Sequence, residues 1–209
     1  MKRSKFLLIL LPLLLAGCIG QKKHNPDSAF YYLTPNKDLM DIGRVVLLEL
    51  QNETSYPKVS SDITNELYDS LQKRQIFGLT VIRQSDPSWQ NLQLGKFDDY
   101  SLEQLSAMHK SLKADAVLRG TVTRYEPFPH LVIGLRLELI DLADGQLLWG
   151  LEQIWDAADN NTQNRIKDYY KTSFLPGSDS LEVGMGTVSS LKFIDFVTYE
   201  TAKTIKPKR

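Results

Sequence analysis

Hydrophobic positions recur along this chain in three rhythms. Leu131, Ile133, Leu135, Leu137 and Leu139 alternate with Arg136 and Glu138, the period of a strand with one buried face. Leu147, Trp149, Leu151 and Trp155 share a face of the next strand. Val59, Ile63, Leu67 and Leu71 recur every four residues, which predicts a helix over about Pro57 to Gln75 with one stripe turned inward. Arg44 to Gln51 (RVVLLELQ) is an almost unbroken apolar run and reads as a buried strand. Gly78 is a helix stop signal, and Leu79 to Ile82 reads as a strand. Ser101-Leu102-Glu103-Gln104 has the spacing of a capping box and opens a helix with Leu102, Leu105, Met108 and Leu112 inside. Three strands follow, Asp115–Tyr125, Leu131–Leu142 and Gln146–Trp155. A polar helix over Asn161–Tyr170, a loop with Pro176, Gly177, Gly184 and Gly186, and a last helix over Val188–Ile205 complete the pattern.

The two alternating strands constrain each other. A two-residue Asp144-Gly145 turn would pair Ile140 with Trp149 and set their apolar faces against each other. A three-residue loop, Ala143-Asp144-Gly145, pairs Leu139 with Trp149 and requires a left-handed residue where Gly145 stands. The expected fold class is α/β, an α+β sandwich. Its mixed sheet has about five strands in the order β-α-β-α-β-β-β, followed by one or two helices, with the helices mainly on one face. The opposite face presents Arg119, Thr121, Thr123, Arg136, Glu138 and Glu152. Such a face is either simply solvated or a surface for a partner.

The amino terminus changes the picture. Lys2, Arg3 and Lys5 precede an apolar run from Phe6 to Leu15, too short to span a bilayer and matched to a secretory signal. The run ends Leu15-Ala16-Gly17-Cys18, with the only cysteine of the chain. This quartet resembles the bacterial lipobox, which implies cleavage after Gly17 and acylation, palmitate included, of Cys18. Ile19 stands where enterobacterial-type lipoproteins carry an inner-membrane retention aspartate, so the resemblance implies the outer membrane, on its periplasmic face. The expected organisation is a signal peptide over 1–17, the lipidated cysteine and a short polar tether over 18–29, and one globular domain over 30–209.

Composition narrows the function classes. The 209 residues are 42% hydrophobic and 24% charged, an ordinary globular balance. The 25 cations match the 25 anions, and without the three cations of the signal the chain carries 22 against 25. No basic footprint for nucleic acid results. With Cys18 consumed, no thiol remains for a disulfide, a metal or catalysis. His24, His109 and His130 have no metal-ligand spacing. Asp98-Asp99 suit a helix start, and Asp141 and Asp144 suit a turn. Gly184-Met185-Gly186 lacks the lysine of a phosphate loop. Tyr31-Tyr32 and Tyr169-Tyr170 are expected at a sheet edge or under a helix rather than as sticky surface. No catalytic, metal or cofactor-binding residue is assigned, no cofactor is expected, and the partner-binding residues are left open.

One further resemblance spans Val45 to Asp156. Its residues are the asparagine-containing loop Leu50-Gln51-Asn52-Glu53-Thr54 with Pro57, the step Ala114-Asp115-Ala116-Val117-Leu118-Arg119-Gly120, and the hairpin Asp141-Leu142-Ala143-Asp144-Gly145-Gln146-Leu147-Leu148-Trp149. They resemble a group of bacterial envelope proteins: the curli-secretion lipoprotein, the lipoprotein activator of penicillin-binding proteins, flagellar outer-membrane lipoproteins and the amino-terminal domain of TolB. A weaker likeness links the first loop to the lipopolysaccharide-assembly lipoprotein. The resemblance implies a non-enzymatic lipoprotein that binds another envelope component and assists its assembly or activity. A structural subunit of a secretion or flagellar outer-membrane assembly is the alternative, and an unrecognised hydrolase ranks below both. The partners expected are the membrane, through the lipid, and an unidentified envelope protein at that same membrane surface, because the tether is short; the oligomeric state stays open.

Overall fold

The structure is a computed structural model, and it describes residues 30–94, 100–173 and 189–207. The signal, Cys18, His24, Asp98-Asp99 and the loop with Pro176, Gly177, Gly184 and Gly186 lie outside the described residues. The strands are β1 (Tyr31–Leu33), β2 (Arg44–Leu48), β3 (Gln51–Asn52), β4 (Gly78–Ile82), β5 (Ala116–Glu126), β6 (Val132–Asp141) and β7 (Leu147–Asp156). The helices are α1 (Val59–Gln72), α2 (Pro87–Asn91), α3 (Leu102–Leu112), α4 (Asn160–Ser173) and α5 (Ser190–Thr204). The fold is α/β with a mixed sheet in the order β1-β7-β6-β5-β2-β4, and β3 also pairs with β5.

Seven strands stand where about five are expected, for two reasons. β1 is only three residues long, too short for periodicity to register; it pairs antiparallel with β7, Tyr31 opposite Leu151 and Leu33 opposite Trp149. β2 and β3 are the single run Arg44–Asn52 broken by a bulge. Leu47 faces Leu118 but Gln51 faces Thr121, so four steps on one strand match three on its neighbour.

Strand order places the helices. β2 lies between β5 and β4 and is parallel to both. The crossover through α1 runs from β2 to β4, and the next one returns past β2 to β5. Right-handed connections in opposite directions put their helices on opposite faces. Accordingly Val59, Ile63, Leu67 and Leu71 of α1 share a core with Val45, Leu47 and Leu118. Leu105 and Met108 of α3 pack instead on Val46, Leu48, Val117 and Ile140. β2 is thus buried on both faces, which explains its unbroken apolar run. α1, α4 and α5 cover the larger core together, and α3 caps one end of the other face with help from Trp89 of α2. Leu102, expected inside, is 68% exposed. At about 100° per residue it lies about 120° around the helix from Met108, off the buried stripe.

The β6–β7 hairpin keeps the expected pairing of Leu139 with Trp149. Gly145 has φ +75°, the left-handed conformation its position requires. The loop is one residue longer than expected, because Asp141 N–H bonds the Gln146 carbonyl at 2.9 Å. Leu148 absorbs the difference as a bulge, since Ile140 faces Leu147 while Leu139 faces Trp149. Leu148 is therefore buried in the main core, and Leu147, expected on the Trp149 face, is turned out.

Candidate functional site

The loop, step and hairpin motifs singled out in the sequence are consumed by structure. Asn52 Oδ1 accepts from the Thr54 backbone N–H (2.9 Å) and hydroxyl (2.7 Å), and its amide donates to the Tyr56 carbonyl (2.7 Å). The asparagine thus folds its own loop. Asp115 Oδ2 accepts from Arg44 N–H at 2.8 Å, while its backbone bonds Arg44 O and Leu142 N–H, so one residue ties β2, β5 and the end of β6. A Cβ at Gly120 would lie 2.3 Å from Leu137 and 2.4 Å from the Arg136 carbonyl, which leaves room for hydrogen alone. Asp141 accepts from Ala143 N–H (2.8 Å) and Asp144 from Gln146 N–H (2.9 Å), as turn residues do. Asp141 is also buried and paired with Lys37, whose ammonium is held in its charged form chiefly by that hydrogen bond.

The remaining candidates are dispersed. His109 Nδ1 lies 2.7 Å from the Ala114 carbonyl and closes the end of α3. His130 Nε2 is 3.4 Å from Asp156 Oδ1 at the surface. Tyr170 donates to the Lys192 carbonyl (2.7 Å) and Tyr169 to Asp195 (3.0 Å), so this pair joins α4 to α5. Tyr31 and Tyr32 form the edge strand β1. Among the described residues no three His, Cys, Asp or Glu side chains gather as a metal site would require. A shallow groove of about 500 Å³ opens between the end of α1 and the start of β4, with Ile42, Ile76 and Phe77 in its walls and no ionisable side chain among its lining residues.

What stands out instead is the face of β1, β7, β6 and β5 that α3 leaves bare. Two ion pairs run across its strands. Arg119 donates to Glu138 at 2.8 Å, and Arg136 to Glu152 at 3.0 Å. They are not equivalent. The Arg119 side chain is nearly buried, with its guanidinium carbon 4.9 Å from the ring centroid of Tyr100. Burial pushes the Tyr100 phenol up, and the nearby guanidinium partly offsets this. Arg136 and Glu152 are open to solvent. Tyr32, Leu147 and Ile154 add exposed apolar surface around them. The sequence identified the charged members by alternation and expected Tyr32 at a sheet edge, where β1 places it; it set Leu147 on the wrong face, because the Leu148 bulge carries no periodic signal, and it did not single out Ile154, which alternates with Glu152. Paired charges with aromatic and aliphatic patches on a rigid sheet can bind a protein surface by shape and charge register.

No protein-family model matches the sequence, and no curated protein does. Solved structures do resemble it. The PelC dodecamer from Paraburkholderia phytofirmans gives a TM-score of 0.50 at 15% identity, covering 87% of this chain and 99% of that one. Lipoprotein GNA1162 from Neisseria meningitidis gives 0.42 at 13% identity over 66% and 99% of the two chains. The LpoB C-terminal domain from Salmonella enterica gives 0.39 at 19% identity over 54% and 82%. At these identities the likeness is one of fold. The chain has the fold of the PelC subunit.

Proposed function

We propose that this protein is an outer-membrane lipoprotein, acylated at Cys18 after removal of residues 1–17, whose domain over 30–209 binds another envelope component and assists its assembly or activity without catalysing a reaction. The open sheet face carries this reading. Arg136 and Glu152 pair across neighbouring strands, and with Tyr32 and Ile154 they face solvent on one side of the sheet. The tether supports a partner at the same membrane surface, on the periplasmic side. Its ten residues from Ile19 to Ser28 extend at most about 33–36 Å. In-cell photocrosslinking tests both points. A crosslinker at Glu152 or Ile154 should trap an envelope protein that one at Asp62, on the exposed side of α1, does not, and Arg136→Glu should abolish the adduct. Equal trapping from both sites would remove the open face from consideration. Cys18→Ser should leave the protein unprocessed at that residue; maturation at the same position would refute the acylation.

A second reading is a ring-forming structural subunit of an export or assembly complex. It is favoured by one observation, that the PelC relative is a dodecamer. The mass of the lipidated protein in detergent separates the two: a monodisperse large particle supports the ring, a monomer the binding module.

A further inference from the structure

One end of the domain concentrates exposed aromatic surface. β5 and β6 are joined by Pro127-Phe128-Pro129, and Phe128 is 84% exposed at the tip. Beside it Tyr56, 42% exposed, meets Tyr125 edge-to-face at 5.1 Å between centroids. Ile154 opens toward the same end, two residues before Asp156, which pairs with Val132 at the start of β6. Arg124 is 2.8 Å from Glu126, and His130 is 3.4 Å from Asp156.

The chain also enters from this end. β1 runs antiparallel to β7, with Tyr31 opposite Leu151 and Leu33 opposite Trp149. Going back from Tyr31 therefore leads toward Asp156 and the Phe128 loop, not toward the Gly145 hairpin. Phe30, 87% exposed, stands at that entry. Only twelve steps separate it from Cys18, a reach of at most about 43 Å. We propose that this end, with Phe128, Tyr56 and Phe30, rests on the lipid surface that holds Cys18. The inference rests on the acylation proposed above.

Aromatic side chains with polar neighbours partition to the bilayer interface. A few such rings bind weakly by themselves. The tether holds the domain at an effective concentration of about millimolar, so a contact of millimolar strength stays substantially occupied. Because the contact rests on aromatic rings and not on a cationic patch, it needs no anionic headgroup and persists in salt. The geometry has a consequence for the open face. Its strands then stand on the membrane, and Arg136 and Glu152 point sideways, toward a neighbour in the same leaflet.

Spin labelling tests this on the acylated full chain, where Cys18 is consumed and an introduced cysteine is the single reactive thiol. Phe128→Cys and Glu53→Cys report on the proposed contact, since Glu53 is exposed in the Tyr56 loop. Met40→Cys reports on the opposite end, where Met40 precedes β2. In phosphatidylcholine vesicles the labels at 128 and 53 should collide at least about threefold less with a water-soluble nickel chelate than the label at 40. The label at 128 should also collide more with membrane-dissolved oxygen. Equal nickel accessibility at the two ends, in protein whose amino-terminal peptide carries acyl chains by mass spectrometry, overturns the contact and leaves the acylation standing. Shielding from nickel without a gain in oxygen collisions marks a protein contact and also overturns it. A chain without acyl groups overturns both.

Discussion

The two faces of the sheet solve opposite problems with the same strands. The face under α1, α4 and α5 buries Trp149, Trp155, Phe193 and Phe196 completely, and it buries several polar groups in hydrogen bonds, although Trp155 Nε1 is buried without a hydrogen-bond partner among the described residues. Trp149 Nε1 donates to Thr204 (3.1 Å), Leu50 N–H is received by Thr64 (3.0 Å), and Ser70 meets Thr198 at 3.2 Å. On the other face α3 covers one end, and the rest stays open with its charges paired across strands. The difference teaches that the core and the surface proposed for recognition are separated here by the pleat, one residue apart along β6 and β7.

The largest effect should come from striking the covered face. Trp149→Ala should destabilise the domain by about 3–5 kcal/mol in denaturant melts, as loss of a buried indole does. Ile154→Ala, five residues on and on the open face, should stay within about 0.5 kcal/mol. Comparable losses at both would mean that the open face is part of the core. Next comes the hairpin that keeps the faces in register. Gly145→Val should cost about 1–2 kcal/mol, because a β-branched side chain resists φ +75°, and its Cβ would lie 3.0 Å from Leu105. Gly145→Asn should recover part of that loss, since asparagine tolerates the left-handed region.

This separation of faces was largely legible in the residues. Alternation from Leu131 to Glu138 defined both sides of β6, and the pairing of Leu139 with Trp149 followed from matching two apolar sets. The loop length did not, because a bulge at Leu148 can absorb one residue without disturbing the core. The placement of α3 was hidden for another reason. Its amphipathic stripe says that it packs, whereas the face on which it packs depends on β5 and β4 flanking β2, and strand order leaves no periodic trace. Candidate-site chemistry was legible where it used charge or an edge: Arg119, Arg136, Glu138 and Glu152 were visible by alternation and Tyr32 was expected at a sheet edge, while the outward turn of Leu147 depended on the Leu148 bulge.

A subtler comparison lies within the open face. Arg119→Met should cost about 1 kcal/mol. It strips a nearly buried guanidinium from Tyr100 and leaves Glu138, itself only partly exposed, without that partner. Arg136→Met removes a solvent-exposed pair and should cost at most about 0.5 kcal/mol. Yet partner crosslinking should follow the opposite order, with Arg136→Met the more damaging. If both stability and crosslinking fail together at Arg119 alone, recognition belongs to the α3-covered end.

The smallest effect concerns a carboxyl pair on the covered side. Glu66 of α1 lies near Asp195 of α5, which accepts from the Tyr169 hydroxyl of α4 at 3.0 Å. Partial burial first, then the charges of Asp195 and Asp69, raise the Glu66 carboxyl above its ordinary 4.5, with Lys73 acting in the opposite sense. The sign follows from linkage. Below the ordinary value both the folded and the unfolded chain carry the proton, and no penalty arises. As pH rises from there through the raised folded value, the unfolded chain ionises freely while the folded one must place a second negative charge beside Asp195, so stability falls over that window and then levels off. Glu66→Gln keeps the side chain's size and carries no charge. Its Tm should match the wild type in acid and exceed it modestly at neutral pH, by at most about 2 °C. A pH-independent difference between the two proteins would mean that burial and the neighbouring carboxylates do not raise the Glu66 carboxyl. In that case the α1–α5 contact would rest on its apolar and threonine packing alone.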